Sequence, residues 1–106
     1  MLYKKDKVIV LVNHGKGKVY VGPLRGTIDS IIIHPQRSSN KGYVIYDFSV
    51  LDEEEDEIFF KADIVNKHII NKAIPVGKSQ DERVICVIDN SNYNIDFEII
   101  LLTKER

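Results

Sequence analysis

Three histidines, one cysteine and a run of six carboxylates are the residues of this chain whose types could do chemistry. His14, His34 and His68 lie far apart, and none has a second His or Cys within the next four positions. A zinc site needs several converging nitrogen or sulfur donors, so this spacing predicts none. His14 reads instead as a turn residue and His34 as a strand terminus before Pro35. Cys86 sits within Val84-Ile85-Cys86-Val87-Ile88 and reads as a small buried core residue whose apolar neighbours raise its pKa. Ser30, Ser38, Ser39, Ser49, Ser79 and Ser91 lack the strand–turn–helix context of an activated nucleophile. The run Asp52 to Glu57 could attract calcium, yet it has neither the ligand spacing nor the central glycine of an EF-hand loop. It reads as a charged hairpin tip. Gly15-Lys16-Gly17 leads into a strand, whereas a phosphate cradle needs a helix N-terminus aimed at the anion. The expectation is a protein without a catalytic site, metal or cofactor, which acts by binding or assembling.

The elements that carry these residues are short β-type runs separated by turn residues. Lys7 to Val12 is rich in β-branched side chains and stops at Asn13-His14-Gly15-Lys16-Gly17, a hairpin turn with two flexible glycines. Lys18 to Val21 returns, and Gly22-Pro23-Leu24-Arg25-Gly26 redirects the chain toward an opposite sheet. Thr27 to Ile33 follows, then a polar loop through Arg37 to Gly42. Val44, Tyr46, Phe48 and Val50 alternate with polar residues, and Glu57 to Lys61 comes back as their partner across the acidic run. Arg83 to Ile88 and Ile95 to Leu102 read as a final hairpin around Asp89 to Asn94. Asp63 to Ile74 is ambiguous: a strand or irregular crossover, with one short helix possible. The core is predicted at Val44, Tyr46, Phe48, Val50, Val84, Cys86, Ile88, Phe97, Ile99 and Leu101. About seven or eight short antiparallel strands in 106 residues predict an all-β fold, a single β-sandwich of immunoglobulin-like or jelly-roll-like connectivity, with a small barrel as the alternative.

Composition narrows the partners. Apolar residues make up 43% of the chain and charged residues 29%, which are values of a folded globular protein. A net charge of -1 gives no general attraction to nucleic acid or to an anionic membrane. The charge is nevertheless split: Lys4, Lys5, Lys7, Lys16, Lys18 and Arg25 oppose only Asp6 in the first third, while residues 52–57 are all acidic. Opposite-sign regions suit packing between copies, but charge runs more often serve solubility, as on a monomer with solvated ends. The single cysteine permits no intrachain disulfide. Only five consecutive apolar residues follow the charged start, too few for a signal peptide or membrane span, so synthesis and folding in a cytoplasm are expected.

One family pattern matches in order. Gly15-x-Gly17-x-Val19-Tyr20, then Gly22-Pro23-Leu24-Arg25-Gly26-x-Ile28-x-Ser30-Ile31, resembles the opening of small β-sandwich virion proteins of tailed bacteriophages. Tyr46-Asp47-Phe48-Ser49-Val50-Leu51-Asp52-Glu53 is similar to their strand leading into an acidic turn. Glu57-Ile58-Phe59 and Phe97-Glu98-Ile99 resemble the returning and closing strands. The likeness covers roughly residues 7–102; the chain departs from it over Asp63 to Ile74 and lacks the glycine often found in the acidic turn. It implies a capsid auxiliary or decoration protein, present in many copies and bound to the major capsid protein or other virion proteins. The expected contact residues are Gly15, Lys16 and Lys18, then Gly22, Pro23 and Arg25, and Arg37 in the polar loop. The competing reading is a small β module that binds nucleic acid or a host protein through the basic first third. A sugar-binding module is a third reading, weakened by the absence of tryptophan.

Overall fold

A computed structural model of the chain describes residues 3–36, 42–77 and 80–105, which form two packed antiparallel sheets. Alternation of apolar and polar residues decides the strands: in β9 (Asp96–Lys104) Phe97, Ile99, Leu101 and Thr103 are buried while the residues between them face out. The other strands are β1 (Tyr3–Leu11), β2 (Gly17–Leu24), β3 (Gly26–Gln36), β4 (Ile45–Leu51), β5 (Glu57–Val65), β6 (His68–Ile70), β7 (Ile74–Val76) and β8 (Glu82–Asp89). One sheet runs β1-β9-β3-β6, with β7 also paired to β3; the other runs β2-β8-β4-β5. Strands β6 and β7 pair with opposite halves of β3, so together they act as one interrupted strand.

Counted that way, the pairs are nested: first with last (β1·β9), second with second-last (β2·β8), β3 with β6/β7, and β4 with β5. This is jelly-roll connectivity, two Greek keys wound together, and it decides between the two sandwich topologies that strand counting leaves open. Every predicted core residue is buried between the sheets, joined by Val10, Val21, Leu24, Ile28, Ile31 and Ile33 among others. Ile85 is also buried, but on the outward side of β8, between Tyr20 and Leu51 in its cross-strand row.

Two expectations need correction. Strands β8 and β9 do not form a hairpin: they lie in different sheets, and their inner faces oppose each other across the core. The loop between them is long enough to cross the gap of about 10 Å between packed sheets. Pairing β8 with β2 and β4 then leaves both its edges hydrogen-bonded. Strands β1 and β2 likewise part after a single Asn13–Lys16 bridge at their turn and enter opposite sheets. By contrast, Gly22 to Gly26 does redirect the chain to the other sheet, and β4 and β5 are partners. The ambiguous segment holds no helix: it is the end of β5, a turn at Asn66, then β6 and β7.

The acidic run is a built turn. The Asp52 carboxylate accepts from the backbone N–H groups of Glu54 and Asp56, and Asp56 O accepts from Asp52 N. Glu55 takes the left-handed conformation, φ 65°, in which the glycine missing from the resemblance would be at home. Glu55→Gly is expected to raise stability by roughly 1 kcal/mol, measured as a higher urea midpoint at unchanged m-value. A lowered midpoint would show that the Glu55 side chain stabilises the turn more than its backbone strain costs.

Candidate functional site

The connections of the sandwich gather at its two ends. One end holds the β1–β2 turn (13–16), the β5–β6 turn at Asn66 and Lys67, the β8–β9 loop (90–95) and Tyr43, Val44 and Ile45 entering β4. The other holds the Leu24 to Gly26 corner, the acidic turn and the β7–β8 connection.

The first end is locked by asparagine side chains. Asn94 Oδ1 accepts from Gly15 N at 3.0 Å, and Gly15 O accepts from Ser91 N at 3.0 Å. Asn92 uses both ends of its amide: Oδ1 accepts from Ile45 N at 2.9 Å and Nδ2 donates to Tyr43 O at 2.9 Å. Asn66 Oδ1 accepts from Val44 N at 3.0 Å, and the Tyr46 hydroxyl donates to Asn66 O at 2.8 Å. Asn66 and Asn90 are both left-handed, a conformation asparagine tolerates better than most residues. Four separate connections are thereby held by amide-to-backbone hydrogen bonds. Tyr43 is 69% exposed, and His14, Asn92 and Asn94 are exposed at the same end.

The expected contact residues do not form one surface. Gly15 and Lys16 lie in this loop end, and Lys18 is exposed on β2 next to it. Gly22 and Pro23 near the far end of β2, and Arg25 at the corner, belong to the opposite end, where Arg25 Nε is 3.8 Å from Asp81. Arg37 lies outside the described residues, although both flanks of its loop, Gln36 and Gly42, reach the Gly15 end. Several basic residues are engaged within the molecule: Lys4 with Pro23 O and Asp6, and Lys7 with Glu98 at 3.3 Å. Among the described residues, Lys5 and Lys7 face out from one sheet and Lys18 from the other. Sequence reading missed Asn66, Asn92, Asn94 and Tyr43; the signal available was the density of asparagine in the turns, notably Asn90, Asn92 and Asn94.

At the opposite end a cleft of about 620 Å³ opens between β5 and β7, with Asp52, Glu54, Lys72 and Glu82 around Ile58 and Ile74. Two of its carboxylates are already committed, Asp52 to the acidic turn and Glu82 to Gly77 N at 3.2 Å. Glu53 accepts from Arg83 N at 2.7 Å, and the Arg83 guanidinium lies 4.9 Å over the Tyr20 ring, which ties the acidic turn to the sheet. Among the described residues, no group of three or more His, Cys, Asp or Glu is placed to hold a metal ion.

Cys86 is fully buried, and desolvation pushes its thiol from an ordinary 9.0 up to about 12. Folding keeps this proton where the unfolded chain has lost it. Its contribution is therefore intact below pH 9 and is lost as pH rises toward 12. Comparing wild type with Cys86→Ala between pH 9 and 10 isolates the effect. Wild type is expected to lose up to about 1 kcal/mol more than the variant across that unit. Equal slopes would show that the thiol is solvated. No protein-family model and no curated protein matches the chain.

Proposed function

We propose that this chain is a structural protein of a tailed-phage virion, an auxiliary or decoration protein that cements the capsid by binding neighbouring subunits of the major capsid protein. It is made in the host cytoplasm and built into the particle in many copies. The observation that carries this reading is the loop end: four connections fixed by amide hydrogen bonds, with tyrosine and asparagine facing out. Tyrosine supplies large contact area at little entropic cost, asparagine, serine and glycine supply adaptable hydrogen bonds, and such surfaces suit protein partners. A rigid surface loses little freedom on docking, so a small contact can hold. Many copies on one shell then add up by multivalency. Double-sheet jelly rolls occur in viral capsid domains and also in lectins and cupins, so the fold alone does not choose. The resemblance of residues 15–31 and 46–53 to phage virion proteins inclines the choice to a capsid.

The test mixes purified protein with undecorated shells, and separately with mixed-sequence DNA and RNA, at low and physiological salt. Co-sedimentation with shells is expected, with Tyr43→Ala/Asn92→Ala weakening it at least about tenfold, or 1.4 kcal/mol. Lys16→Glu/Lys18→Glu should mainly slow association, because exposed charges steer encounter more than they hold the complex. Tight, strongly salt-dependent nucleic-acid binding with no shell binding would overturn the proposal in favour of the nucleic-acid module.

A further inference from the structure

The outward face of the β1-β9-β3-β6 sheet carries an apolar band that the described residues leave uncovered. Cross-strand register places Ile100, Ile32 and Ile69 in one row across β9, β3 and β6. Leu102 lies one outward position along β9, and Ile9 one outward position the other way on β1. Ile69 is 51% and Ile9 43% exposed, while Ile32, Ile100 and Leu102 are half-buried by their neighbours. Ile100, Ile32, Ile69 and Leu102 make one patch over three strands, bordered on β1 by Lys7 and Ile9, which is more than scattered surface hydrophobes require.

We infer that this face binds a second copy of the same chain, sheet against sheet, about a two-fold axis that runs along the strands between β9 and β3. The choice of occupant and axis comes from the register. Such an axis sets each residue of β9 opposite the β3 residue of its own cross-strand row in the other copy. Ile100 then meets Ile32 of the second copy and Glu98 meets His34, while Leu102 meets Ser30 and Asp96 meets Gln36. No like charges are opposed in these rows; Lys7, at the outer end of the Ile100 row and held by Glu98 of its own chain, meets Ile69 of the second copy. Turning the axis across the strands through the Ile100 row would set Lys7 against Lys7 of the second copy, opposing like charges. β1, β9 and β3, nine to eleven residues long and about 4.8 Å apart, with the three-residue β6 beside them, offer roughly 500 Å² per copy, or about 1,000 Å² in all. That is close to the lower bound of specific interfaces and above the area of incidental contacts.

Sheet edges offer a poorer route to association. β1 as an edge carries Lys4, Lys5 and Lys7, β5 is bulged in two places, and β2 breaks register before Leu24. Lysines, bulges and irregularities discourage strand-to-strand pairing. The central contact residues are separate from Tyr43, Asn92 and Lys16 of the loop end, so each surface can be disabled without the other.

Sedimentation equilibrium of the isolated chain from about 5 to 500 µM is expected to show a reversible monomer–dimer equilibrium. Ile32→Lys should weaken it at least about 30-fold, the loss typical of a central interface anchor. Ile69→Lys, at a half-exposed position that folding tolerates more readily, should shift it in the same direction should Ile32→Lys fail to fold. Ser49→Lys, on the outward face of the other sheet, should leave it unchanged. A monomer at every concentration would overturn the inference, as would a dimer insensitive to Ile69→Lys or one abolished by Ser49→Lys. Because the assay contains no shell, its failure leaves the capsid reading untouched, and loss of shell binding leaves the dimer untouched.

Discussion

Replacing Phe97 with alanine is expected to cost about 3–5 kcal/mol, read from urea unfolding followed by circular dichroism. Phe97 is fully buried in β9, the central strand that joins β1 to β3, and its ring meets Tyr46 edge-on at a centroid distance of 4.8 Å. Alanine removes the transfer free energy of the ring and leaves a cavity between two sheets that cannot easily close, because both are hydrogen-bonded on each side of the gap. The effect should reach the loop end. Tyr46 is the residue whose hydroxyl holds Asn66 O, so losing its ring partner frees it to shift away from that bond. Faster amide exchange at Val44 and Asn66 than at Val84 is therefore expected in the variant under native conditions. A stability loss below about 1 kcal/mol would place the ring at the surface and contradict the packing described above.

The second large effect belongs to Gly26, where β2 gives way to β3. Its φ of 126° is one that side chains rarely adopt, and an added Cβ would run into the carbonyl oxygen of Lys104 with the Glu105 Cα at 3.1 Å. Both obstacles are backbone, so neither can rotate aside. Gly26→Ala should cost about 3 kcal/mol or more, the sum of backbone strain and forced displacement of the last strand. Gly42→Ala provides the comparison. Its φ is 94°, but the nearest atom to an added Cβ is the Tyr93 hydroxyl at 3.8 Å. Only the backbone strain remains there, roughly 1–2 kcal/mol. Equal losses at the two positions would show that the approach of Lys104 to Gly26 is not a close contact in solution. The contrast also gives a physical reason for glycine in the Pro23-Leu24-Arg25-Gly26 corner: the chain must pass directly under the end of β9.

Much of the architecture is legible from residues alone, and the reason is the period of two. Val44, Tyr46, Phe48 and Val50 alternate with Ile45, Asp47 and Ser49, and burial follows that alternation without exception. Cys86 in an apolar run reads as buried, and its thiol is indeed shifted upward by desolvation. Turn chemistry was equally readable at Gly22 to Gly26, because proline and glycine constrain the backbone locally and need no distant partner. The acidic hairpin tip belongs to the same class, with Asp52 capping its own turn.

What no local pattern could decide was which strands are neighbours. Adjacent runs such as Arg83 to Ile88 and Ile95 to Leu102 look like a hairpin, since a short polar loop serves a hairpin and a crossing between sheets equally well. The choice is made by competition for hydrogen-bonding edges across the whole chain: β8 pairs with β2 and β4, and β9 with β1 and β3, contacts between segments up to a hundred residues apart. The same long-range closure determines the surfaces. It brings Gly15, Tyr43, Asn66, Asn92 and Asn94 to one end and carries Gly22, Pro23 and Arg25 to the other, although Gly15 and Gly22 are close in sequence. It also aligns Ile100, Ile32 and Ile69 in one outward-facing row from three strands. Residue types determined that this chain is β and which faces it buries, because side-chain alternation is a local property. Tertiary structure alone decided what its loops and outer faces can bind, because a surface is assembled from segments that only the completed jelly roll makes neighbours.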